Sequence, residues 1–225
     1  MPKERLSQYG GRLTPAQIAD GMNAAIRNAR RLANDACTLL DLERYPTAAS
    51  IAVLSIEESG KVSILRHFAM TRDLSSCRKI WREYRNHRSK NVAWILPDLV
   101  AGGARDLDSL RLATQSDAEH TALLDNVKQI GLYSDCLGNV HWSEPEKVVD
   151  RPLAQVLVNI ADLFATKKAI TPEEIELWMA HLSPAYGAPL ETMKEALLNW
   201  YRAMNEAGLM KEVDTDVKEF VMGTG

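Results

Sequence analysis

The sequence predicts an all-α protein, a multi-helix bundle with a helical appendage near its C-terminal end. Three observations carry this reading. Apolar residues recur at intervals of three and four through much of the chain. Threonine-then-proline signals open helices at Thr14-Pro15 and Thr171-Pro172. A stretch beginning near Thr47 is apolar on almost every face, as a helix at the centre of a bundle must be.

After Pro15, the residues Ile18, Met22, Ala25, Ala29, Leu32, Ala36 and Leu39 form one apolar seam. Its three alanines let a neighbouring helix approach closely. Arg44-Tyr45-Pro46 ends this helix and starts the central one, which runs to about Phe68. The turn at Met70 to Asp73 leads into a third helix, predicted to continue from Leu74 towards Ile95 until Pro97 and Gly102-Gly103 interrupt it. A fourth is expected from about Ser116 to Leu132, with Ala118, Leu123, Leu124, Val127 and Ile130 inward. Residues 133–151 read as loop with room for a short hairpin at Gly138-Asn139. A fifth helix is expected from Leu153 to Ala165. The sixth runs from Thr171 to Leu182, and the seventh from Leu190 to Ala207 with Gly208 closing it. These divide the chain into an N-terminal arm (1–13), a main bundle (14–166), a C-terminal helical hairpin (167–212) and a loose tail (213–225).

With 225 residues and 46% hydrophobic content, the chain can bury a substantial core. A formal charge of −3 excludes nucleic-acid coating through overall charge, so any such contact needs a local patch. The Met-Pro-Lys-Glu-Arg start has no apolar signal core, and no apolar stretch reaches the roughly 18 residues of a membrane span. A soluble, cytoplasmic protein with no membrane contact is the expectation. Cys37, Cys77 and Cys136 form no Cys-x-x-Cys pair and are expected to be small core residues. The five histidines show no His-x-x-x-His spacing, so neither a metal site nor any other cofactor is expected, and His67, His120 and His181 read as packing or surface residues. His141-Trp142 would suit a partner-binding edge.

Chemistry concentrates in Trp81 to Lys90, where Arg82 and His87 have four residues between them and stand among Arg78, Lys79, Arg85, Arg88 and Lys90. An imidazole, titrating near neutrality beside fixed positive charge, suits proton transfer at a phosphodiester, and a guanidinium holds phosphate oxygens in two places at once. The same run reads equally as a solvated basic helix face. Trp81, Tyr84 and Trp94 have the spacing of core or subunit contacts more than of base-stacking platforms. On the central helix, Glu57-Glu58-Ser-Gly60-Lys61 is no phosphate loop. It must turn at least one carboxylate inward, where an arginine or lysine of the third helix is the natural partner. Gly60 marks a close helix approach.

Three segments together resemble the AbiV-type abortive infection proteins of the HEPN superfamily. They are the alanine-rich helix entering Glu57-Glu58-x-Gly60-Lys61, the run Trp81-x-x-Tyr84-x-x-His87-x-x-Lys90, and Lys128-x-x-Gly131-Leu132-Tyr133-x-Asp135 with Pro145 after it. The resemblance covers about residues 14–165. It implies a HEPN-like bundle that dimerises and, in catalytic members, an Arg-x4–6-His motif for metal-independent RNA cleavage, a spacing that Arg82 and His87 satisfy. On one straight helix, positions five apart differ by roughly 140°, so the pair makes better sense across a two-fold axis. In this reading His87 moves the proton, Arg82 holds the phosphate, Glu83 orients the imidazole and Asn86 bonds the same phosphate. Arg78, Arg85, Arg88 and Lys90 attract the RNA backbone. Glu57, Glu58 and Lys61 support Arg82 from behind. The function implied is an antiviral effector, a homodimeric endoribonuclease released by a phage protein trigger. The competing readings are a non-catalytic module that blocks translation by occupying RNA, a ribosome or a phage protein, and a bundle that only mediates assembly.

Overall fold

The computed structural model describes residues 7–71, 73–90, 104–108, 119–210 and 215–223. Helices α1 (Pro15–Asp41) and α2 (Tyr45–Met70) form its antiparallel centre. Thr14 opens α1 with a reciprocal capping box: its hydroxyl accepts from Gln17 N while Gln17 Oε1 accepts from Thr14 N. Along the contact Ala29, Ala33 and Ala36 meet Ala48, Ala49 and Ala52, all buried, and small side chains on both sides bring the two axes close. Ser55 bridges them by donating to the Ala29 carbonyl at 2.8 Å.

Around this pair lie α3 (Leu74–Arg85), α4 (His87–Lys90), α5 (Glu119–Leu132), α6 (Pro145–Val148) and α7 (Arg151–Phe164). Asp73 caps α3. Hydrogen bonds from Ser75 and Ser76 hold its carboxyl well below the usual carboxylate range. Between α5 and α6, Cys136–Leu137 pairs antiparallel with His141–Trp142, the short hairpin for which the loop has room. Gly138 takes the positive φ of +49° that this turn requires.

The C-terminal hairpin comprises α8 (Pro172–Ala185) and α9 (Leu190–Glu206), and it packs on the bundle. Trp178 Nε1 donates to the Arg66 carbonyl at 3.1 Å, and the Arg66 guanidinium stands over the rings of Trp178 and Trp200 at 5.2 and 5.6 Å. Asn23 and the backbone of Ile170 exchange two 2.8 Å hydrogen bonds, which tie the connection to α1.

Several expectations are corrected. The third helix does not run on unbroken: α3 ends at Arg85, Asn86 takes an extended conformation (φ −86°, ψ 129°), and α4 begins at His87. Its continuation to Ile95, with Trp94, Pro97 and Gly102-Gly103, lies outside the described residues, as do the start of the fourth helix near Ser116 and Ala118 and the side chains of Arg88 and His120. Leu123, expected inward, is exposed. Residues 215–222 of the expected loose tail form a helix, α10 (Thr215–Met222), with Val221 buried. Of the three cysteines only Cys77 is buried; Cys37 and Cys136 are exposed. No helix among the described residues is long and apolar enough to cross a membrane.

Candidate functional site

Glu57 stands at the middle of α2 with its side chain 3% exposed. An ionised carboxylate so placed is costly unless cations face it. Three groups do. His87 Nδ1 lies 2.7 Å from Glu57 Oε2, Lys90 Nζ lies 3.3 Å from the same oxygen, and Lys128 Nζ lies 2.9 Å from Oε1. Lys128 also meets Asp125 Oδ1 at 2.9 Å and stands 3.3 Å from His87 Nδ1. The three segments of the AbiV resemblance therefore converge on one buried carboxylate.

Two glycines make the convergence possible. A Cβ on Gly60 would stand 2.0 Å from the Lys90 carbonyl oxygen, so α4 rests directly on the backbone of α2. A Cβ on Gly131 would stand 2.4 Å from Ser50 Oγ and 3.0 Å from the Pro46 carbonyl oxygen, so α5 also approaches α2 closely. One face of α2 thus takes α4 and α5 together, with Glu57 between them.

The electrostatics follow from the geometry. Burial alone pulls the Lys128 ammonium towards neutrality, but its hydrogen bonds to Glu57 and Asp125 outweigh this and raise it above the ordinary lysine value. Lys90 and Lys128 thus face the carboxylates of Glu57 and Asp125 at contact distance. A carboxylate can only accept, so the 2.7 Å contact requires Nδ1 of His87 to carry hydrogen. Its other nitrogen, Nε2, belongs to a side chain 54% exposed and is the one free to take or give a proton at the surface. Ligand atoms of Glu57, His87 and Asp125 lie within 4.8 Å of one another, a donor set that suits a divalent cation by type. Lys128 Nζ already contacts all three residues, and a metal would have to displace it.

The other expected residues fall elsewhere. Arg82 is exposed on α3, and among the described residues no hydrogen bond or ion pair joins it to His87, Glu57 or Glu58. Glu83 lies 4.0 Å from His67 Nδ1, not beside His87. Asn86 closes α3, its N–H donating to the Glu83 carbonyl at 3.0 Å. Glu58 pairs with Lys61 at 2.5 Å, while Lys61 also stands over the Tyr84 ring. Lys90 is buried against Glu57 and offers no surface charge. Arg85 lies over the Trp81 ring and donates to the Tyr9 carbonyl, which ties the chain near Tyr9 to α3. Trp81 donates to Gly11 O at 2.9 Å and packs with Tyr84 on the core, as the spacing of these aromatics predicts. Arg78, Lys79 and Arg82 form an exposed basic stripe with no ion pair among the described residues. Lys128 and Asp125 carried no site reading in the sequence, although Lys128 opens the third segment of the resemblance.

A family model, AbiV of the HEPN type, matches residues 17–166. No curated protein and no solved structure matches the chain.

Proposed function

The chain belongs to the AbiV family of HEPN proteins, and from that membership we propose that it is an antiviral abortive-infection effector, a metal-independent endoribonuclease whose site is completed across a homodimer. The observation that supports this best is the 2.7 Å contact between Glu57 and His87 Nδ1, which leaves Nε2 at the surface as a base. In the proposed step Nε2 takes the 2′-hydroxyl proton of the RNA. The resulting oxygen attacks the adjacent phosphorus, the P–O5′ bond breaks and the departing 5′-oxygen takes a proton from water, leaving a 2′,3′-cyclic phosphate and a 5′-hydroxyl. Arg82 of one subunit, beside His87 of the other, holds the phosphate and stabilises its developing charge. Arg78 and Lys79 draw the backbone in and make binding salt-dependent. Dimerisation, the phage trigger and the cytoplasmic setting belong to the same proposal.

The test is RNA cleavage in EDTA by wild type and His87→Ala at matched dimer content. Cleavage by wild type alone is expected, with the variant reduced roughly 10²–10⁴-fold, the usual worth of positioned proton transfer. Equal cleavage by both overturns the assignment of His87. A second reading, non-catalytic occupancy of RNA or a translation component, is favoured by the exposed stripe of Arg78, Lys79 and Arg82, which makes no ion pair among the described residues. In that case no RNA is cut, and binding survives His87→Ala but weakens when the stripe is neutralised.

A further inference from the structure

We propose that Lys128, which lies outside the Arg-x4-His pair, is a positioning residue that fixes the proton of His87 on Nδ1 by pinning the carboxylate of Glu57. The inference rests on the reading of His87 as the proton carrier, but its structural part can be tested without any RNA.

The terminal torsion of a glutamate is broad and roughly two-fold, so nothing in the side chain itself decides which way the carboxylate faces. At Glu57 the decision comes from outside. Lys128 Nζ takes Oε1 at 2.9 Å, which leaves Oε2 aimed at His87 Nδ1 at 2.7 Å. Lys128 is itself held, because Asp125 on the preceding turn of α5 grips the same ammonium at 2.9 Å, and the side chain is only 7% exposed. The chain of positions therefore runs Asp125, Lys128, Glu57, His87, with each link a charge-assisted contact.

Lys90 cannot replace this arrangement. It approaches Oε2, the same oxygen that serves His87, and at 3.3 Å it is the longer of the two contacts. Without Lys128 the carboxylate is free to turn towards Lys90, and the imidazole loses the acceptor that selects its tautomer. The ring then carries its hydrogen on Nε2 for part of the time, and in that form it cannot accept a proton from a 2′-hydroxyl. Lys128 stands only 3.3 Å from Nδ1 and would itself favour a bare nitrogen there, but the shorter carboxylate contact prevails.

The experiment reads the two ring nitrogens of His87 directly, by long-range proton–nitrogen NMR on the full chain at a pH where the ring is neutral. The His87 signals are identified by their loss in His87→Gln. Wild type is expected to show hydrogen on Nδ1 and a bare Nε2, and Lys128→Met a mixture of both forms. If Lys128→Met alone fails to fold, Lys128→Met/Asp125→Asn removes one charge of each sign and takes the same measurement. An unchanged Nδ1–H form in the folded variant overturns the inference, whatever the protein does to RNA. If wild type cleaves RNA, the variant should lose at least about 10-fold in kcat with KM held, a share of what proton transfer supplies. A rise in KM alone would overturn the positioning role. A mixed tautomer in a protein that never cleaves RNA upholds the positioning of His87 and removes only the nuclease reading.

Discussion

His67 and Glu57 lie on the same helix, ten residues or about 15 Å apart, and meet opposite environments. Glu57 is buried against His87, Lys90 and Lys128. For His67, burial is the largest influence and lowers its pKa below the ordinary 6.5; nearby Glu83 raises it and Lys79 lowers it further. Its Nε2 meets the Tyr186 hydroxyl at 2.7 Å, which ties α2 to the end of α8. The unfolded chain therefore binds a proton at His67 more readily than the folded one does. This contribution to stability is intact above pH 6.5 and is lost as the pH falls through the lower folded value. The urea midpoint of wild type should fall on acidification below pH 6.5 more steeply than that of His67→Gln. Equal slopes in the two proteins would remove His67 from the acid response.

At the scale of elements, the seating of α4 on α2 decides the site, and Gly60 decides the seating. Gly60→Ala gains up to about 1 kcal/mol of helix propensity. Against that, the new methyl meets backbone, the Lys90 carbonyl at 2.0 Å, which cannot swing aside as a side-chain tip would. The clash should win, at a net cost of about 1–3 kcal/mol. A lower denaturation midpoint is expected, together with loss of the Nδ1–H signature of His87. Gly10→Ala, where a methyl meets nothing within 4 Å, serves as the control and should change neither. An unshifted Gly60→Ala would mean that α4 is free to lift. Gly60 was legible as a point of close approach because a glycine inside an otherwise strong helix needs a packing reason. The break at Asn86 was not. Arg85-Asn86-His87 contains no proline or glycine, and asparagine only weakly disfavours helix. The chain leaves the helix there because His87 and Lys90 are held against Glu57, a tertiary cause that local pattern does not contain. The same limit applies to the partner of Glu57. The need for a cation was readable from a carboxylate on an apolar helix. One source, a lysine of the predicted third helix, was readable too and is Lys90, whereas the second, Lys128 on α5 about 70 residues away, was readable only as membership of a shared motif.

For the whole molecule, α1, α2, α5 and α7 supply the largest core cluster, while α3 buries Cys77 and Ile80 and exposes Arg78, Lys79 and Arg82, on a chain whose formal charge is −3. Apolar periodicity predicted the bundle because burial is written into every helix, but a symmetric assembly leaves its mark only on a surface. A two-fold arrangement that brings Arg82 of one subunit to His87 of its partner also brings two basic α3 stripes together. Such a dimer should hold less tightly at low salt and be steadied by RNA phosphates lying between the stripes. The arrangement has a consequence that a site contained in one chain does not. When Arg82→Ala and His87→Ala proteins are mixed and allowed to exchange subunits, a heterodimer with a shared site holds one intact Arg82–His87 pair and one doubly altered pair. Random exchange then restores about a quarter of wild-type cleavage from two inactive parents, since half the dimers are mixed and each has one working site of two. If each chain holds its own site, every site in the mixture lacks one of the two residues and mixing restores nothing. Recovery on mixing therefore places the two residues on opposite subunits. Its absence, with exchange verified by native mass spectrometry, places them on one chain and requires α3 and α4 to bring Arg82 and His87 together without a partner.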